Sequence, residues 1–297
     1  MSLPRPILPG RIYLLTRRCV DRLLLLRPDE EVNRAFKYCL GIAAERYGIR
    51  IIHALVMGNH YHAVVYDPHG MLPRFLQYFH AISAGAFKRV RGKRENFWST
   101  DEASYCHLVE LRDVLEKVVY TLANPVIGHL VERVSHWPGA STLAWNDGRE
   151  VVLERPKHLF GAESTLPESV TMQLIAPPCF DGSHEEWSKM VLAGVEAKEL
   201  EMAAKRAAAG KRILGRKAVR EASPWSRPKS AERRSRLRPF IAAKNLVARV
   251  PALEALARFR RAYRFARALF KLGWREVPFP AGTWAMLHLA GVSVAPS

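Results

Sequence analysis

The sequence predicts an α+β protein, in which an antiparallel sheet carries helices and a basic, mainly helical extension follows. Three observations lead there. Apolar runs with the period of a strand and of a helix alternate over the first 125 or so residues. A Gly-Asn pair, Gly58-Asn59, splits two β-branched runs. The charge is lopsided: residues 181–297 hold 24 Lys and Arg against 10 Asp and Glu, and so carry +14 of the net +18.

Residues 11–18, RIYLLTRR, form an apolar stretch after Pro-Gly and predict the first strand. A helix is expected to follow over 29–47. Asp29 can cap it, Glu30 and Glu31 occupy the first turn, and Gly48 stops it. Residues 49–57 and 61–66 predict two strands, antiparallel neighbours across Gly58-Asn59. Over 71–90, Leu72, Phe75, Leu76, Phe79, Ile82 and Phe87 recur at helical spacing. A basic loop, RGKRENFWST, leads to a short strand at 105–109. A third helix runs from 111 to about 123, ended or kinked by Asn124-Pro125. Strand, helix, strand, strand, helix, strand is the βαββαβ plan of a ferredoxin-like domain, here with an added helix, and the helices are expected on one face of the sheet.

This domain is expected to span residues 1–150. Residues 151–184 read as a linker containing one alternating stretch, SVTMQLIAPP. Residues 185–297 form the basic helical region, interrupted by a Pro/Ser/Arg linker at 223–239. An overall hydrophobic content of 48% with 25% charged residues is globular, so a packed core is expected. A pI near 10.1 points to a polyanionic partner, most often nucleic acid. The four cysteines show no CxxC pairing or zinc-finger spacing. The N-terminus lacks an apolar signal core, and no stretch is long enough to span a bilayer. A cytoplasmic, reduced protein with no membrane association is the expectation.

The candidate chemistry starts at LVMGNHYHAVV. On a strand, His60 and His62 share a face and Tyr61 turns the other way. Two imidazoles about 7 Å apart along one face can converge on one metal ion. They can equally be polar residues on a half-exposed strand. Further on, LEKVVYTLANPVIGHL puts Tyr120 and Asn124 four apart, on one helix face. Read alone, these are a half-buried tyrosine and a helix-ending asparagine.

Taken together, MGNHYH followed by VVYTLANPV resembles the single-tyrosine HUH transposases, in particular the REP-associated tyrosine transposase branch. His60-Tyr61-His62 fits the His-hydrophobic-His motif, and FWS at 97–99 and WPGAS at 137–141 look like that branch as well. The resemblance covers residues 10–145. It implies a ferredoxin-like catalytic domain with Tyr120 as nucleophile. It implies that His60 and His62 hold a divalent ion, Mg²⁺ or Mn²⁺, with Asn124 where the family places a third polar ligand. The implied activity is transposition: cleavage and rejoining of single-stranded, hairpin-forming DNA through a 5′-phosphotyrosine, by a monomer or a homodimer. On ligand chemistry alone Zn²⁺ fits two imidazoles as well, because Mg²⁺ prefers oxygen. Two positions depart from the family pattern. Leu14 follows Tyr13 where many relatives have His, and Ile127 stands where many have Arg.

Single strands are bound by basic grooves with aromatic stacking. Arg17, Lys88, Arg89, Arg91, Lys93 and Arg94, with Phe97 and Trp98, form such a mixture and are the candidate nucleic-acid contacts, although charge runs are often only solvated surface. The competing functions are a non-catalytic, sequence-selective nucleic-acid-binding protein and an amidohydrolase-type metal enzyme. The second needs a long βα array with further His and Asp ligands, which the chain lacks. There is no Walker loop: AAAGKRILG has neither the first glycine nor the hydroxyl residue after lysine.

Overall fold

The computed structural model describes residues 4–161, 163–228 and 239–296. Strand β1 (Arg11–Arg18) is followed by α1 (Glu30–Tyr47), β2 (Arg50–Val56), β3 (His60–Asp67), α2 (Leu72–Arg91), β4 (Ser104–Leu108) and α3 (Leu111–Ile127). Then come β5 (Val151–Glu154), α4 (Lys157–Phe160), β6 (Ser169–Met172), α5 (His184–Ala208), α6 (Arg216–Glu221), β7 (Ile241–Ala242), α7 (Leu246–Lys271) and α8 (Ala285–Ala290). The main sheet has the order β2-β3-β1-β4-β7. Its first four strands are antiparallel neighbours, in the ferredoxin-like arrangement the sequence predicts.

The local signals act as chemistry requires. Asp29 accepts a hydrogen bond from the Val32 N–H and caps α1, and Gly48 ends the helix with φ 66°. Helix α2 has no side-chain cap of its own. Buried Asp67, at the end of β3, accepts instead from the N–H groups of Met71 and Leu72. The turn between β2 and β3 closes through the Met57 N–H donating to the His60 carbonyl, 2.8 Å.

Alternation along the strands builds two cores. Tyr13, Leu15, Tyr61, Ala63 and Val65 pack with α1 and α2. Ile12, Ile52, Leu55, Val64 and Leu108 pack on the opposite side with Val118 and Leu122 of α3 and Trp187 and Val191 of α5. The expectation of helices on one face is therefore corrected. Both faces of these strands are apolar, and α3 with α5 covers the second.

Two further expectations change. Helix α3 continues through Pro125 to Ile127 rather than ending at 123. The stretch read as a linker at 151–184 holds the β5–β6 hairpin, packed on α1 where Gly41 leaves room for Val170 and Leu153. The 223–239 linker lies outside the described residues from 229 to 238. The WPGAS stretch shields the edge of β2: the Trp137 indole donates to the Val56 carbonyl at 2.9 Å, and the Val56 N–H donates to Ala140 at 2.8 Å. A side chain at Gly139 would strike that indole and that carbonyl, so only glycine fits. No helix among the described residues is long and apolar enough to cross a membrane.

Candidate functional site

His60 and His62 point to the α3 side of the sheet, and Tyr61 is fully buried on the α1–α2 side. The two imidazoles meet edge to face, with centroids 4.8 Å apart. Tyr120 brings its ring to 5.4 Å from that of His62 and remains 38% exposed. Lys117, one turn earlier, holds its ammonium 5.9 Å from the Tyr120 ring. Because α3 stays helical through Pro125, Asn124 lies one turn beyond Tyr120 on the same side. It is buried and lines a cleft of about 490 Å³ together with His60, Arg18, Arg22 and Arg27. Residues 58 apart in sequence thus form one His-Tyr cluster, with Asn124 beside it.

The hydrogen bonds define how the imidazoles are presented. Asn59 Nδ2 donates to the Arg22 carbonyl at 3.1 Å, which pins the amide. Its Oδ1 then faces His60 Nδ1 at 2.7 Å. A carbonyl oxygen only accepts, so Nδ1 of His60 carries the proton and Nε2 carries the lone pair. His62 Nδ1 lies 2.8 Å from the Thr16 hydroxyl. Its Nε2 is closed off from solvent and has no hydrogen-bond partner. Burial lowers the pKa of both imidazoles, that of His60 to about 4 with a further push from Arg18, that of His62 well below the usual value with a further push from His60. Both rings are therefore neutral at pH 7, the state a metal requires.

Among the described residues there is no group of three or more His, Cys, Asp or Glu able to hold a metal. A third protein ligand would have to be of another type, and the Asn124 amide is that type. Two imidazole nitrogens and one amide oxygen, with the unused Nε2 of His62, fit a divalent ion of borderline character.

The expected nucleic-acid residues are not at this cluster. Arg17 stands opposite Tyr61 in the β1–β3 register, so alternation sends it to the other face. There it meets His80 Nδ1 at 2.9 Å, which bonds the Tyr61 hydroxyl through its Nε2 at 2.7 Å. Arg18, opposite His60, lines the cleft. Trp98 is buried among Tyr61, His80 and Phe87, and its indole donates to the His80 carbonyl, so it offers no open face to a base. Arg91 bonds the Leu25 and Arg27 carbonyls and Asp29, and Arg89 the Leu159 carbonyl. Lys93 pairs with Glu95 at 3.3 Å. Of the set, Arg89 and Arg94 are exposed and Lys88 is half-buried. Phe97 and Trp98 are apolar first and basic-flanked second, and burial takes such residues into the core.

Asn59, Arg22 and Arg27 are site residues that carry no motif of their own, and Thr16, placed by its sequence near the end of the first strand as a hairpin-backbone contact, meets His62 instead. Register would have found Thr16, which faces His62 across β1–β3. Nothing local marks Arg22. It follows Asp21 with both residues left-handed, φ 52° and 60°, at roughly 1 kcal/mol or more each for non-glycine residues. That turn aims the Arg22 carbonyl at Asn59.

Fold and cluster together define a ferredoxin-like α+β domain that presents two neutral imidazoles beside an exposed tyrosine. No family model and no curated protein matches the chain. Two solved structures are similar to parts of it. One is described as a REP-associated tyrosine transposase bound to a REP hairpin, with 19% identity and a TM-score of 0.41 over 48% of this chain and 82% of that one. The other comes from Deinococcus radiodurans R1 and is provisionally called a transposase. It shares 20% identity with a TM-score of 0.28, over 35% of this chain and 84% of that one. Likenesses at this level assign the chain no activity by themselves.

Proposed function

We propose that this chain is a metal-dependent transposase that cleaves and rejoins single-stranded, hairpin-forming DNA, with Tyr120 as the nucleophile. The observation that carries the reading is the approach of exposed Tyr120 to His62, 5.4 Å between ring centroids, where the His62 Nε2 has no hydrogen-bond partner and the Asn59 contact leaves the lone pair on Nε2 of His60. The net charge of +18 supplies the attraction for a polyanion.

His60, His62 and Asn124 would hold the divalent ion, Mn²⁺ or Mg²⁺. Bound there, it would neutralise charge on the scissile phosphate and stabilise the departing 3′ oxygen. The Tyr120 hydroxyl attacks phosphorus in line as the bond to the 3′ oxygen breaks. The phenolic proton leaves to solvent and the departing oxygen takes one up. The products are a 5′-phosphotyrosine and a free 3′-hydroxyl. The phosphodiester is exchanged rather than hydrolysed, so the reverse attack by a 3′-hydroxyl rejoins the strand without ATP. Asn59 and Thr16 keep the two Nε2 atoms aimed, and Arg18, Arg22 and Arg27 offer the cleft to phosphates.

Incubating the full chain with Mn²⁺ and end-labelled hairpin-bearing single strands should yield a protein–DNA adduct that survives denaturation. Chelation of the metal should abolish it. Tyr120→Phe should also abolish it, and His60→Ala should lose cleavage while keeping most binding, because phosphate contacts dominate affinity. An adduct that persists in Tyr120→Phe sinks the nucleophile assignment. Binding without any adduct, across varied hairpins, would leave a nucleic-acid-binding protein.

A further inference from the structure

Helix α7 buries Leu256, Phe259 and Ala266 and turns its other side outward. Across its 26 residues it carries seven basic side chains and one acidic one. At 100° per residue, Arg258, Arg261, Arg264 and Phe265 fall within one outward sector about 120° wide. Arg258, Arg261 and Arg264 are exposed, and Phe265 is 67% exposed. Arg264 is steadied by its Nε donating to the Arg260 carbonyl at 3.3 Å. Arg258 has only a loose approach to Glu254, 3.9 Å. Arg260 and Arg267 face elsewhere. The first donates to the Pro4 carbonyl, and the second lines a cavity beside Tyr263 and Trp284.

We infer that this face of α7 is a second binding surface, for single-stranded DNA. Three arginines set around an open aromatic ring answer both chemistries of a single strand. The guanidinium groups take backbone phosphates, and the ring takes the face of an unpaired base. A duplex would use the arginines but leaves no base face free for Phe265. A protein partner or a lipid surface would use the exposed Phe265 but gains less from three clustered cations. The surface lies outside the His-Tyr cluster: α7 follows β7, and β7 is three strands from β3 in the sheet. The role suggested is to hold strand that flanks the cleaved segment. That role rests on the proposed function, whereas the binding itself does not.

The test is anisotropy of a labelled 20-nucleotide oligo(dT) with the full chain. Phe265→Ala should weaken binding by about tenfold or more, as removal of base stacking does, and Phe265→Trp should restore it. The triple variant Arg258→Gln/Arg261→Gln/Arg264→Gln should flatten the salt dependence by about 2 in slope, near 0.7 for each phosphate that an arginine neutralises on a single strand. The oligo(dT) readout needs no adduct, so a chain that binds but fails to cleave leaves this result untouched. Phe265 is largely exposed, and unchanged melting would show the variants fold. Unchanged oligo(dT) affinity in Phe265→Ala overturns the inference. So does an equal weakening on a blunt duplex of the same length, or a weakening seen only on phosphatidylserine vesicles.

Discussion

Asn59 and Thr16 show how much of the cluster depends on residues that do no chemistry. Each holds the Nδ1 of one imidazole and so fixes how that ring is turned, and Asn59, whose Oδ1 only accepts, also fixes the tautomer of His60. Thr16→Val keeps the β-branched shape in β1 and removes the hydroxyl. Metal affinity or cleavage should then fall roughly tenfold or more while melting stays within about a degree or two of the parent. A variant with unchanged Mn²⁺ titration would show that the hydroxyl positions nothing. Trp98 and Arg17 teach the converse. Their types suit nucleic acid, yet the first is core and the second is turned to the other sheet face.

At the scale of elements, α3 owes its position to what packs on both of its sides. Val118 and Leu122 sit on the sheet, and α5 closes over the outer side at Gly194. A Cβ at Gly194 would come within 2.5 Å of Val119 Cγ2, on a stiff β-branched side chain next to Tyr120. Gly194→Ala gains helix propensity but pushes α5 away. The expected net effect is a loss of about 1–2 kcal/mol of stability, read by urea denaturation, with a weaker adduct yield. A more stable variant would mean that the two helices separate at no cost. Helix α5 therefore belongs to the packed core that carries the His-Tyr cluster rather than to a detachable tail, and a cut after residue 180 would strip the cover from Tyr120's own helix. The start of α3 is held in the same way by Asp113, which accepts from the Glu110 and Lys244 N–H groups and joins it to the segment leading into α7.

Across the whole molecule, several imidazoles are buried in neutral form. His53 sits between Thr142 and Asn146 at 3.0 Å from each, and burial lowers its pKa to about 4, only partly offset by the Asn146 bond. Burial also pushes the His80 pKa well below its usual value, with Arg17 adding to it. At His53 the unfolded chain takes up its proton near pH 6.5 and the folded chain resists until about 4. Stability is therefore full above pH 6.5 and falls as the pH drops through that window. His53 alone accounts for about 2–3 kcal/mol between pH 7 and 4.5. Urea denaturation at the two pH values should show a smaller difference in His53→Gln than in the parent. Parallel pH profiles would remove His53 from the account.

The sequence by itself determined the order and type of the elements through α3, the caps of α1, the opposed faces of Tyr61 and its histidine neighbours, and the pairing of a His-x-His strand with a later Tyr-x-x-x-Asn helix. These are local properties: period, turn chemistry and spacing. Only the tertiary structure decided that α3 crosses to the second sheet face, that it runs through Pro125, and that the stretch read as a linker holds the paired strands β5 and β6. It also separated Arg18 from Arg17 and assigned Trp98 to the core. Register across strands and burial between distant segments govern these outcomes, and neither is written in any one stretch of chain.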